Sequence, residues 1–308
     1  MIKMKIDDVY EEYINFTPLS PRTKSMYLKC YNNFWKNIIG HLDINELSYN
    51  IVQSGINFLI KKYSYNTIKI YKCAVFKFID IAQLKNGTKY ERIKCINIGK
   101  PPKKKEFNCA NELEEYYALI EYIKNSTSKL KEQYEMILWI GFFTGLRISE
   151  VLALNKNDID LNRKEVHITK SLTVINDIIQ INNVKTPSSC RIVYIPNELR
   201  DILIEYIPKI KNKILFPNNK GDYIIPSNIS SFISHFARPR KYTIHFHSLR
   251  VLYTKIMLDN NASIESVRAL LGHANVSTTL NIYLRGNVEE RKSDVDKVFN
   301  SKKYVKKA

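Results

Sequence analysis

Glycine and proline are scarce in this sequence, 9 and 10 among 308 residues. With 44% hydrophobic residues, that scarcity excludes a disordered chain and leaves room for roughly two domains, each with its own core. Cysteine is thin as well. The five (Cys30, Cys73, Cys95, Cys109, Cys190) are scattered, odd in number and without a CxxC, which points to a reducing compartment. No apolar run approaches the ~18 residues that a membrane-spanning helix needs. The opening stretch, MIKMKIDDVYEEYI, is charged from the start, unlike a secretory signal. A soluble cytoplasmic protein with no membrane partner is expected. Three motifs are missing altogether: GxxxxGK[ST], HExxH and an EF-hand loop. No nucleotide, metal or other cofactor is therefore expected. His245-x-His247 has no Cys or carboxylate at metal-ligand spacing.

Acidic residues are in deficit, 30 Asp+Glu against 48 Lys+Arg, for a formal net charge of +18. Such a balance favours a polyanionic partner, nucleic acid before an acidic membrane surface. Lys, Asn, Ile and Tyr are abundant together, as low-GC coding would also make them, so the charge is supporting evidence only.

Residues 20–39 read as a helix, with Ser20 at the N-cap, Pro21 at the first helical position and Tyr27, Tyr31, Phe34 and Ile38 at helical spacing. Residues 64–82 repeat that layout, and residues 48–62 are amphipathic between them. An all-helical domain over residues 1–87 follows. Arg22, Lys24, Lys69 and Lys72 interleave its apolar positions and are candidate DNA contacts. Residues 88–109 form a basic linker around Pro101-Pro102, where Lys103, Lys104 and Lys105 suit an extended segment near phosphates.

A second domain is expected over residues 110–308, with a tail at 286–308. Helices are expected at 111–125, 129–143 and 147–154, the break falling at Gly145 in TGLR. Three strand-like runs, KEVHIT, DIIQINN and CRIVYIP, predict one small sheet, and the turn-like VKTPSS places Lys185 at a hairpin tip. The remainder is helical. Overall the chain reads as mainly α with a small β-sheet.

Four features carry chemistry. Arg147 follows a buried helix end and needs a charge partner or an anion, for which Glu150 is at hand. Lys185 sits in its turn. His247 and Arg250, three apart, share one helix face beside the apolar Leu249, Leu252, Ile256 and Met257. In LLGHANVSTTLNIYLRG, His273 follows a helix-ending glycine and Tyr283 lies ten residues on. As a helix-turn-helix this last segment fits poorly, because Arg268, Thr278 and Asn281 occupy positions where that motif wants small or apolar residues.

Taken in order, Arg, Lys, His-x-x-Arg, Gly-His and Tyr resemble the tyrosine recombinase (phage integrase) family, and the resemblance runs from the helical N-terminal domain to Tyr283. It implies an all-helical core-binding domain joined to an α+β catalytic domain. By this likeness Arg147 and Arg250 are the paired arginines and Lys185 the β-hairpin lysine. His247 and His273 are the two histidines, Tyr283 is the nucleophile, and Glu150 is the acidic support of the first arginine. Val251 and Arg285 stand where the family often has histidine. The ten-residue His273–Tyr283 interval is similar to that of phage and conjugative-element integrases. An additional N-terminal arm-binding domain is expected to be missing. The partner implied is double-stranded DNA, held at two sites by a homotetramer, with accessory DNA-bending or partner recombinase proteins. The activity implied is strand exchange through a 3′-phosphotyrosyl intermediate and a Holliday junction, serving mobile-element integration or excision, or Xer-type resolution. A type IB topoisomerase and a non-catalytic DNA-binding protein are the alternatives.

The physical chemistry of phosphodiester transfer asks for the same set: a nucleophile, donors for the developing negative charge, and an acid for the leaving oxygen. Two arginines can each donate two hydrogen bonds to phosphate oxygens, and one such preorganised donor is worth about 3–4 kcal/mol.

Overall fold

The computed structural model describes residues 5–86, 96–102, 109–184 and 189–272. The chain divides into two compact units, residues 1–104 and 105–308.

The first unit is helical: α1 (Ile6–Phe16), α2 (Pro21–Cys30), α3 (Lys36–Ile39), α4 (Tyr49–Ile60) and α5 (Tyr65–Asn86). The caps read from sequence are in place. The Ser20 hydroxyl accepts from the Thr23 amide at 3.3 Å and Ser64 does the same for Thr67 at 3.4 Å. A single π turn, Tyr31–Trp35, joins α2 to α3, so the expected continuous helix over 20–39 carries an inserted residue. Helix α1 was not anticipated. Its acids Asp7, Asp8, Glu11 and Glu12 read as a charged lead, yet Ile6, Val9, Tyr10, Tyr13 and Ile14 form a buried stripe at helical spacing. Tyr10 stacks on Tyr31 with ring centroids 3.7 Å apart, and Trp35 donates to the Tyr71 carbonyl at 2.9 Å.

The second unit begins with α6 (Cys109–Lys124) and α7 (Lys131–Thr144) and ends its described part with α11 (Phe246–Asp259) and α12 (Ile264–Leu271). Between them lie the short α8 (Ile148–Val151), five strands, α9 (Asn197–Tyr206) and α10 (Pro226–Arg240). The mainly α class holds, but the single expected sheet is two. Strands β1 (Ile159–Asp160), β2 (Glu165–Ile168) and β5 (Arg191–Tyr194) form one antiparallel sheet in the order β1-β2-β5. Strands β3 (Lys170–Ile175) and β4 (Ile178–Asn183) form a separate hairpin. Its two-residue turn, Asn176-Asp177, has positive φ at both positions, a geometry these residue types tolerate. DIIQINN thus pairs with KSLTVI, a strand not anticipated.

The core of this unit gathers Tyr116, Leu119 and Ile123 of α6, Ile137 and Ile140 of α7, Val166 and Val193 of the sheet, and Leu249 and Leu252 of α11. Gly145 ends α7 with φ +63°, the left-handed conformation that favours glycine. Among the described residues no helix is long and apolar enough to cross a membrane.

Candidate active site

Where α7 stops at Gly145, the chain turns sharply and places Arg147 at the N-terminus of α8. Glu150, one turn on, reaches back. One carboxylate oxygen, Oε2, accepts from the Arg147 backbone amide at 2.9 Å, and the other, Oε1, from Arg147 Nη1 at 2.9 Å. A third residue joins them. Arg191, at the start of β5, donates Nη1 to Oε1 at 3.1 Å and Nη2 to Oε2 at 3.0 Å. Each oxygen of Glu150 therefore serves both arginines.

Arg250 approaches from α11. Its side chain is 1% exposed, and it donates Nη1 to the Gly145 carbonyl at 2.8 Å and Nη2 to the Leu271 carbonyl at 2.7 Å. Arg191 Nε takes the neighbouring carbonyl, Leu270, at 2.6 Å. Those two acceptors are orphan carbonyls at the end of α12, which Gly272 terminates with φ +65°. The last turn of α12 is thereby tied to the arginine cluster.

Three guanidiniums and one carboxylate carry a net charge of +2. Burial alone would raise the Glu150 pKa, but hydrogen bonding and charge from Arg191, with Arg147 behind it, hold it below the usual carboxylate range. Burial pulls Arg250 down to about 9, with Arg147 and Arg191 acting the same way and Glu150 opposing. It remains a cation at neutral pH. The cluster is short of negative charge, and Arg147, 40% exposed, is the member that meets solvent. An anion such as a phosphate suits it.

His247 lies on the first turn of α11 and is exposed, while Arg250, three residues on, is enclosed. The expectation of a polar pair side by side on the helix surface is corrected in depth: Arg250 can sit inside because two carbonyls satisfy it. His245 has a different job. Its Nδ1 lies 2.7 Å from Ser248 Oγ, and its backbone amide donates to the same oxygen at 3.2 Å, capping α11. From α6, Glu115 accepts from the amides of Thr243 and Ile244 at 2.9 and 2.8 Å and steadies the turn that launches α11. Among the described residues no three His, Cys, Asp or Glu side chains group as metal ligands do. Lys185, His273 and Tyr283 lie outside the described residues, as do Lys103, Lys104 and Lys105.

In the first unit Arg22 and Lys69 are exposed. Lys24 and Lys72 are tied to backbone, their amines donating to the Asn15 carbonyl at 2.8 Å and the Ile96 carbonyl at 2.7 Å.

Sequence reasoning missed Arg191. The signal was present: Arg191 is in phase with the buried Val193 and Ile195, while Ile192 and Tyr194 face out. An arginine on the inward side of a strand needs a carboxylate or carbonyls to meet it.

Fold and site together present a net-positive arginine cluster on an α+β unit that a helical unit precedes in the chain. Residues 111–290 match the phage integrase family, and the chain belongs to it. The chain is 24% identical over 276 residues to the ICEBs1 integrase of Bacillus subtilis (strain 168), covering 84% of this chain and 70% of that one. To the XerC-like tyrosine recombinase of Caldanaerobacter subterraneus subsp. tengcongensis it is 29% identical over 194 residues, which is 53% of this chain and 48% of the relative's length. Among solved structures, the Tn1549 transposon integrase in complex with a circular intermediate DNA superposes with a TM-score of 0.78 at 16% identity, covering 96% of this chain and 99% of that one. A lambda integrase tetramer bound to a Holliday junction gives a TM-score of 0.70 at 11% identity, covering 91% and 78%. At these identities the structural likeness speaks for the fold.

Proposed function

We propose that the protein is a site-specific DNA recombinase that cuts and rejoins duplex DNA through a covalent 3′-phosphotyrosyl intermediate. In the cleavage step the Tyr283 phenol oxygen attacks the scissile phosphorus and forms the tyrosyl ester, and the bond from phosphorus to the 5′ oxygen breaks. The phenol gives its proton to an imidazole, His247 or His273, and Lys185 protonates the departing 5′ oxygen. Arg147 meets the non-bridging oxygens, and with the enclosed charge of its paired Arg250 behind it stabilises the charge that builds on them, with Glu150 as the support of Arg147. The ester conserves the energy of the broken bond, so religation reverses the same steps with no nucleotide consumed.

The observation that carries this reading is the convergence of Arg147 and Arg250, from elements far apart in sequence, on a cluster with net positive charge. Among the described residues Arg250 donates to two carbonyls, and Arg147 remains accessible. The likeness to the ICEBs1 integrase extends over 84% of this chain and that to the XerC-like recombinase over 53%, which supports mobile-element integration or excision over Xer-type resolution as the biological role. Assembly as four subunits on two DNA sites, with accessory proteins, is the corresponding arrangement.

The test uses a nicked suicide duplex carrying the sequences that flank the gene. Wild-type protein should form a covalent adduct, and Tyr283→Phe should bind the duplex without forming one. Adduct persisting in Tyr283→Phe would remove Tyr283 from the nucleophile's role. Relaxation of any supercoiled plasmid, without a site, would move the reading to a type IB topoisomerase.

A further inference from the structure

Arg191 is absent from the set that the family likeness assigns, yet among the described residues it is the most connected arginine of the cluster. Its side chain is 6% exposed and makes four hydrogen bonds: two to Glu150, one to the Leu270 carbonyl and one, from Nη1, to the Ser189 carbonyl at 3.1 Å. Three segments distant in sequence meet on it, β5, α8 and the end of α12. Glu150 in turn holds Arg147 by both backbone and guanidinium.

We propose that Arg191 is a positioning residue for phosphoryl transfer. Its two-point contact stops the Glu150 carboxylate from rotating, and that carboxylate sets the orientation of Arg147. Its Nε bond fixes Leu270 beside the same carboxylate, and with it the chain just ahead of Gly272 and His273. The proposal rests on the recombinase reading above.

Stability is a poor account of this arrangement. A buried Arg–Glu pair often contributes no more than apolar residues of the same volume, and a second arginine on one carboxylate adds repulsion with Arg250 nearby. Geometry is a better account. A guanidinium fork can reach both oxygens of Glu150 and a carbonyl at once, which the single ammonium of lysine cannot do.

The experiment uses the full chain with Arg191→Lys and Arg191→Gln, each in the wild-type and the Glu150→Gln backgrounds. Four quantities are measured: the single-turnover rate of adduct formation on the suicide duplex, equilibrium DNA binding, thermal melting, and hydrogen–deuterium exchange at the Arg147 amide. For Arg191→Lys, adduct formation is expected to slow about a hundredfold, the scale of one lost preorganised donor. DNA affinity should stay within about threefold, and the Arg147 amide should exchange faster. In the Glu150→Gln background the same change should slow adduct formation by less than about threefold, because the effect passes through Glu150.

A folded Arg191→Lys protein that cleaves at the wild-type rate would overturn the proposal. So would an equal slowing in both backgrounds, or an Arg147 amide whose exchange is unchanged. If both variants fail to fold, Arg191 is structural and the proposal falls. If wild-type protein forms no adduct, the recombinase reading falls by itself. The exchange at Arg147 then decides whether Arg191 positions it: faster exchange in Arg191→Lys supports the proposal, and unchanged exchange overturns it.

Discussion

Replacing Glu150 with Gln keeps the side chain's shape and removes the one negative charge among Arg147, Arg191 and Arg250. The amide's NH2 then faces a guanidinium in place of an oxygen. The magnitude follows from burial. Arg147 is 40% exposed, so water screens its share and it contributes little. Arg191 and Glu150 are 6% and 3% exposed, and breaking such an enclosed pair costs about 3–5 kcal/mol. For a unit of this size that lowers the melting temperature by about 2–4 °C per kcal/mol, or about 6–20 °C in all. The pH dependence has a definite sign. The folded pKa of Glu150 lies below its unfolded value, so the contribution is complete above the ordinary glutamate pKa of about 4.3 and is lost as pH falls through the folded value. Denaturant unfolding of wild type and Glu150→Gln at neutral pH and in acid checks both points. Wild type should lose the increment in acid, and the variant should lack it throughout. A neutral-pH loss under about 1 kcal/mol, the range of exposed ion pairs, would refute the claim that this carboxylate is desolvated between two arginines.

Arg250→Lys keeps the charge, but a single ammonium cannot span the Gly145 and Leu271 carbonyls; adduct formation should fall about 10²–10³-fold, measured on the suicide duplex. Lys69→Ala, at an exposed position, should reduce the slope of log affinity against log salt by about 1, whereas Lys72→Ala should leave the slope unchanged and lower stability, because that amine is engaged with the Ile96 carbonyl. Salt titrations of DNA binding separate the two. Ser263→Ala removes the acceptor for the Ser266 amide at the start of α12 and should cost about 1 kcal/mol, read from thermal melting.

What could be read from the sequence was what residue type marks. Ser20-Pro21 and Ser64 announce helix starts, and the hydroxyls do accept the amides expected of them. Helix α1 escaped because four acids on its exposed side obscured a buried stripe that the spacing of Ile6, Val9, Tyr10, Tyr13 and Ile14 does carry. Strand β3 escaped because a turn of only two residues, Asn176-Asp177, leaves no loop to notice between two β-branched runs. The pairing of Arg147 with Glu150 was legible, being local. The depth of Arg250 was not, and the reason is physical. Four guanidinium bonds in the cluster end on the carbonyls of Gly145, Ser189, Leu270 and Leu271. Every residue carries a carbonyl, so no residue type records which ones will be left without partners at a helix end and turned toward an arginine. Only the fold decides that, by stopping α7 at Gly145 and α12 at Gly272 within reach of α11 and β5.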